Sequence, residues 1–103
     1  MNQRRGRRSG ASVFRDLGFS AGEAEHLRIR SELMTKLQAV ITARELKQAD
    51  AAEVLGVTQP RVSDLMRGRI DLFNAETLIG MLARLGVRTK LVLESRRRRA
   101  GAA

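Results

Sequence analysis

Apolar residues recur at helical spacing through most of the chain and switch to strict alternation near its end. From Ala21 to about Arg44, residues Leu27, Leu33, Met34, Leu37, Val40 and Ile41 share one side of a helical wheel, which predicts a long amphipathic helix. Ser20 and Glu23 stand three apart at its start, as in a capping box: the hydroxyl accepts from the Glu23 N–H and the carboxylate reaches back to Ser20. The first half of this helix fits its stripe less well, because Arg30 falls within the apolar arc and Ile29 near its edge. Residues 21 to 30 are therefore expected to project beyond the core, as a partner-binding segment or as a solvated extension. His26 lies there among Glu, Ala and Arg and reads as a surface residue rather than a ligand or base. A later helix follows Asn74 as N-cap, with Phe73 stapled to Leu78, a buried stripe of Leu78, Ile79, Met81, Leu82 and Leu85, and Gly86 as its stop.

Between these two lies Leu46 to Arg69, LKQADAAEVLGVTQPRVSDLMRGR, which predicts two short helices crossing at a glycine turn. Leu46, Ala51, Ala52, Val54 and Leu55 give the first an apolar side, and Gly56 supplies the left-handed residue that ends it. Val57 anchors the turn. Thr58 is an N-cap whose hydroxyl can accept from the Arg61 N–H, and Pro60 suits a first turn whose N–H groups are unpaired in any case. Val62 and Leu65 bury one face of the second helix, and Ala52 is small enough for a close crossing. Pro60, Ser63, Asp64 and Arg67 then point away, flanked by Gln59 and Arg61. An ordinary helical hairpin accounts for the small and aliphatic positions but not for this polar, basic face. The layout is that of a helix-turn-helix reader of DNA.

The same stretch resembles the Cro/repressor (XRE) helix-turn-helix family. In that pattern a Gln opens the first helix, a small Ala follows four residues on, a Gly ends it, and two aliphatic residues pin the recognition helix; Gln48, Ala52, Gly56, Val62 and Leu65 stand at those positions. One departure is Lys47, which stands where the family has a Ser or Thr N-cap; loss of such a cap costs about 0.5–2 kcal/mol, and Lys47 can compensate by reaching a phosphate.

After Gly86 the period becomes two. Val87, Thr89, Leu91 and Leu93 alternate with Arg88, Lys90, Val92 and Glu94, predicting a short C-terminal β-strand. A lone strand leaves a row of backbone groups unpaired. The partner is either the weak candidate Ser12-Val13-Phe14 or the same strand of a second subunit. The expected fold is thus mainly α: a compact helical bundle with a helix-turn-helix motif and one short strand. Its folded domain spans residues 11–95, between disordered basic tails at 1–10 and 96–103.

Composition narrows the function. The chain of 103 residues has room for one domain, and with no Trp, no Tyr and three Phe its core must be aliphatic. The net charge of +9 sits at the ends: Arg4, Arg5, Arg7, Arg8 and Arg96 to Arg99 leave the segment from Ser9 to Glu94 nearly neutral. Such tails aid solubility or grip the DNA backbone without reading sequence. No cysteine is present, so disulfides and thiolate metal sites are excluded and a cytoplasmic location is compatible. No apolar run approaches the roughly 20 residues of a membrane span. The opening MNQRRGRRSG lacks a following apolar run, so no export signal is expected. Neither a metal nor a cofactor is expected. One His, no Cys and no clustered carboxylates argue against an enzyme, and basic residues without interleaved aromatics argue against a sequence-specific RNA binder.

From Ser12 to Glu94 the chain resembles a narrower group, the HigA-type antitoxins. The matching pieces are SVFRDLGF, EAEHLRIRSEL, LGVTQPRVSDLMRGR, LFNAETLIGMLARLG and VRTKLVLES. The resemblance implies a repressor of its own operon that neutralises a RelE-like or HigB-like ribonuclease toxin; some members of the group are stand-alone repressors. In the helix-turn-helix reading, Gln59 pairs with adenine and Arg61 with guanine, each worth about 1–3 kcal/mol of discrimination. Pro60 and Ser63 share that base-reading edge, Ser63 facing a base or a phosphate, and Asp64 accepts from cytosine or orients Arg61 or Arg67. Lys47, Gln48, Thr58, Arg67 and Arg69 are expected on phosphates, which set register rather than sequence. A palindromic duplex read by a homodimer is the expected partner.

Overall fold

Ser20 fixes the start of the longest element. In a computed structural model that describes residues 10–95, the Ser20 Oγ accepts from the Glu23 N–H at 3.1 Å and the Glu23 carboxylate accepts from the Ser20 N–H at 3.0 Å, so both halves of the capping box form. The chain then runs through α1 (Gly10–Asp16), α2 (Ala21–Ala43), α3 (Gln48–Leu55), α4 (Gln59–Met66), a single 3₁₀ turn (Ile70–Leu72) and α5 (Ala75–Arg84). Of the tails expected at 1–10 and 96–103, residues 1–9 and 96–103 lie outside the described residues, while Gly10 already belongs to α1.

One cluster unites the elements from α2 onward. Met34, Leu37 and Ile41 of α2 meet Ala51, Ala52 and Leu55 of α3, Val62 and Leu65 of α4, then Phe73 and the α5 residues Leu78, Met81 and Leu82, with Leu85 just beyond. Phe73, Leu37, Leu65, Leu78 and Val62 are completely or almost completely buried. Asn74 caps α5 by accepting from the Thr77 N–H at 2.8 Å, and buried Phe73 and Leu78 flank that cap as the staple requires. Val54 and Ile79, expected inward, are instead exposed, because each lies at the margin of its helix's apolar arc.

The exit of α2 departs from the usual chemistry. The Glu45 N–H bonds to Thr42 O at 3.0 Å and the Leu46 N–H to Ile41 O at 3.2 Å, the bond pair of a Schellman motif. That motif needs a left-handed residue, and Glu45 supplies it at φ 54, the one non-glycine with positive φ among the described residues. A residue with a Cβ in this conformation costs roughly 1–2 kcal/mol. Leu46, assigned by its apolarity to the next helix, belongs to this turn and packs on the core from there.

At the ends of the domain one expectation fails and another is not met within the single chain. Ser12-Val13-Phe14 is helical, part of α1, which packs on α2; Phe14 meets Phe19 edge to face at 6.1 Å between centroids. Three residues are too few to distinguish a period of two from one of 3.6, and packing on α2 decides for helix. The pairing of that segment with the C-terminal strand is therefore excluded. Residues 87–95 carry no regular secondary structure, and no strand occurs among the described residues. Alternation favours an extended chain, but a ladder needs a second strand, and the candidate within the chain is consumed by α1. The first half of α2 is also not a bare projection: α1 covers part of it, and Ala24 is fully buried there.

Candidate nucleic-acid interface

The turn between α3 and α4 sets the geometry of the motif. Gly56 lies at φ 70 and ψ 33, and the Val57 N–H reaches back to Ala52 O at 3.0 Å, which closes α3 and reverses the chain. A Cβ at Gly56 would stand 3.0 Å from the Arg84 Nη2 atom. Arg84 occupies that space because its Nε donates to Val54 O at 2.8 Å, placing a cation at the carbonyl end of α3, where the helix dipole favours it. The turn is thus held from α5 as well as by its own backbone. The α4 helix then begins with Thr58, whose Oγ1 accepts from the Arg61 N–H at 3.4 Å, and with Pro60 in the first turn.

Val62 and Leu65 are fully buried, so the orientation of α4 about its axis is fixed. Gln59 and Pro60 are exposed at its N-terminal end; Ser63 and Asp64 are half-buried on its flank; Thr58, Arg67 and Arg69 are exposed before and after it. Lys47 and Gln48 are exposed at the start of α3. Lys47 occupies the N-cap backbone position, φ −73 and ψ 159, but its side chain makes no capping bond. Asp50 in the first turn of α3 gives the dipole the negative charge that the missing cap does not. Asp64 forms no ion pair with Arg61 or Arg67, so neither arginine is oriented by it in the free protein.

Arg61 is the exception on this edge. At about 100° per residue it lies roughly 40° around the axis from buried Leu65, and its guanidinium folds onto the protein rather than outward. The Arg61 carbon Cζ stands 4.1 Å from the centroid of the Phe73 ring, and its Nη1 donates to Leu72 O at 3.0 Å. A cation over a ring is worth about 0.5–2 kcal/mol, and a hydrogen bond from a charged group about 1.5–3 kcal/mol. Reaching a base would require exchanging both, whereas Gln59 and Pro60 have no such tie.

Two further side chains reach the same region, and the sequence did not single out either for this role. Gln38 Nε2 donates to Leu65 O at 2.8 Å, satisfying a carbonyl in the last turn of α4. Arg30 Nη1 approaches Ile70 O at 3.5 Å, at the limit of a hydrogen bond. The signal for Arg30 was its misfit: a cation inside the apolar arc of α2 has to find an acceptor at the edge of the core. Gln38 left no such mark, since a Gln beside an apolar stripe is ordinary.

Two short helices crossing at a left-handed glycine, the second fixed by two buried aliphatics and presenting a polar N-terminal end, define a helix-turn-helix DNA-binding domain. Residues 13–94 match a helix-turn-helix domain family, and the chain belongs to it. A solved structure whose name assigns it to the XRE family of transcriptional regulators is similar at 34% sequence identity and a TM-score of 0.69, over 79% of this chain and 91% of that one. Together these make the protein a DNA-binding transcriptional regulator of the XRE helix-turn-helix family. No curated protein matches it in sequence. Among the described residues no helix is long and apolar enough to cross a membrane, and no cluster of His, Asp or Glu could hold a metal.

Proposed function

We propose that this regulator is a repressor that binds a palindromic operator as a homodimer and serves as the antitoxin of a type II toxin–antitoxin pair. The observation that carries the DNA-reading part is the free, exposed N-terminal end of an α4 whose rotation is pinned by Val62 and Leu65. Gln59 reads adenine, Pro60 touches a thymine methyl, and Ser63 and Asp64 line the flank of the contact. Lys47, Gln48, Thr58, Arg67 and Arg69 hold phosphates and set the register.

The homodimer is supported by the segment after α5. Leu91, Val92 and Leu93 are 81%, 79% and 91% exposed, three successive apolar side chains with no cover in the single chain. Pairing of residues 87–94 with their copy would complete a ladder, bring Leu91 and Leu93 of both copies together on one face, and set two α4 helices about 34–36 Å apart, one turn of DNA. The antitoxin role is supported by the resemblance to HigA-type sequences and by a second uncovered apolar set, Val13, Leu17 and Phe19, carried by α1 and its turn rather than by the DNA-reading helix.

Light scattering tests the dimer. The mass at micromolar concentration should be twice the chain's 11.4 kDa, and Leu91→Pro, which removes a backbone donor from the centre of the ladder, should give a helical monomer without cooperative binding to a palindrome. A clean monomer for the unaltered chain refutes the dimer. Co-expression with the neighbouring reading frame tests the antitoxin: relief of that product's growth arrest supports it, and a neighbour without toxicity leaves a stand-alone repressor.

A further inference from the structure

The segment from Arg67 to Leu72 carries two exposed arginines on a loop with little core of its own. Arg67 and Arg69 are exposed, Gly68 between them is left-handed at φ 76, and of the 3₁₀ turn only Ile70 packs against the core. Its backbone bonds are local: Arg69 N–H to Asp64 O at 3.1 Å, Ile70 N–H to Gly68 O at 2.7 Å and Leu72 N–H to Arg69 O at 3.0 Å. What ties it to the rest of the domain is a set of side chains from outside. Arg61 of α4 grips Leu72 O at 3.0 Å while lying over Phe73, Arg30 of α2 approaches Ile70 O at 3.5 Å, and Gln38 holds Leu65 O at 2.8 Å just before the loop begins. Three carbonyls along eight residues thus have donors on two other parts of the fold. Phe73, over whose ring Arg61 lies, is 1% exposed as a whole residue.

We propose that Arg61, which lies on the recognition helix next to the base-reading residues, is a positioning residue rather than a reader. With Arg30 it clamps the loop so that Arg67 and Arg69 meet the phosphates of the duplex at a fixed distance from Gln59. Sequence preference is carried by Gln59, Pro60 and Ser63, and Arg61 acts on affinity through the loop. The inference rests on the helix-turn-helix reading of DNA by α4.

The test uses the full-length protein and duplexes selected by it from a randomised library, with every base pair of the selected site then substituted in turn. Arg61→Met should lower affinity about tenfold, within the range of ordinary coupling between sites, on every duplex alike, leaving the ranking of bases at each position unchanged. In a chain already carrying Arg67→Ala and Arg69→Ala the same change should have little effect, because the groups it positions are gone. Such non-additivity would not follow from lost stability alone; thermal melting establishes that each variant is folded at the assay temperature. Arg30→Met provides the second route to the same loop should Arg61→Met fail to fold, and it should show the same uniform loss and the same coupling. Arg61→Lys, which keeps the charge over the ring, should recover part of the affinity. A loss confined to one guanine position would make Arg61 a base reader and overturn the proposal alone, as would an effect that persists in full without Arg67 and Arg69. Failure of the unaltered protein to select any duplex would overturn the DNA reading, and this proposal with it.

Discussion

The elements from Gln48 to Arg84 and the two ends of the domain obey different physics. In the first region each helix buries its stripe against a neighbour in the same chain, and Leu55, Val62, Leu65, Phe73 and Leu78 are 3% exposed or less. At the ends, Leu17 is 69% exposed and Leu93 91%, although both are as apolar as anything in the core. A side chain inside the closed region stabilises the monomer directly. One at the ends adds little to the single chain, and in the proposed dimer its worth would appear in association rather than in folding.

Matched truncations separate the two regimes with the largest effect expected. Leu65→Ala removes a fully buried side chain and should cost about 2–5 kcal/mol by denaturant unfolding. Leu93→Ala should leave the stability of the monomer within about 0.5 kcal/mol while weakening self-association. Equal losses of monomer stability from both would abolish the distinction. Next comes the junction inside the closed region: Gly56→Ala places a Cβ in the left-handed region, at a cost of roughly 1–2 kcal/mol, and pushes it to 3.0 Å from the Arg84 guanidinium. Its melting temperature should fall, and the Arg84→Ala background should lessen the fall. The smallest change runs the other way. Glu45→Gly relieves the positive φ at the end of α2 but adds freedom to the unfolded chain, for a net gain of under about 1 kcal/mol. A lower melting temperature for this variant would show that Glu45 contributes something besides its backbone angle.

The same contrast decides what could be read from the sequence. The capping box at Ser20 and Glu23, the Thr58 and Asn74 caps, the Gly56 turn and the burial of Val62 and Leu65 were all legible, because each depends on residues within a few positions of one another. Where an outcome depends on a distant element, the pattern was insufficient. Ser12-Val13-Phe14 became helix through packing on α2, and Val87 to Glu94 alternates like a strand but forms none in the single chain. Arg61 illustrates the limit within the interface itself: its place on α4 is set locally, but the direction of its guanidinium is set by Leu72 and Phe73, eleven and twelve residues away. The roles of Arg30 and Gln38 are hidden in the sequence for the same reason, since their acceptors lie on another element.

Base-resolved binding of Gln59→Ala beside the unaltered protein tests most directly whether the exposed end of α4 reads DNA. The unaltered chain should enrich a palindromic site from random duplexes. Loss of the Gln59 amide should relax the preference at one adenine in each half-site by about 1–3 kcal/mol and leave the other positions as they were. A uniform loss across all positions, or an unchanged preference at every one, would contradict DNA reading by the exposed end of α4.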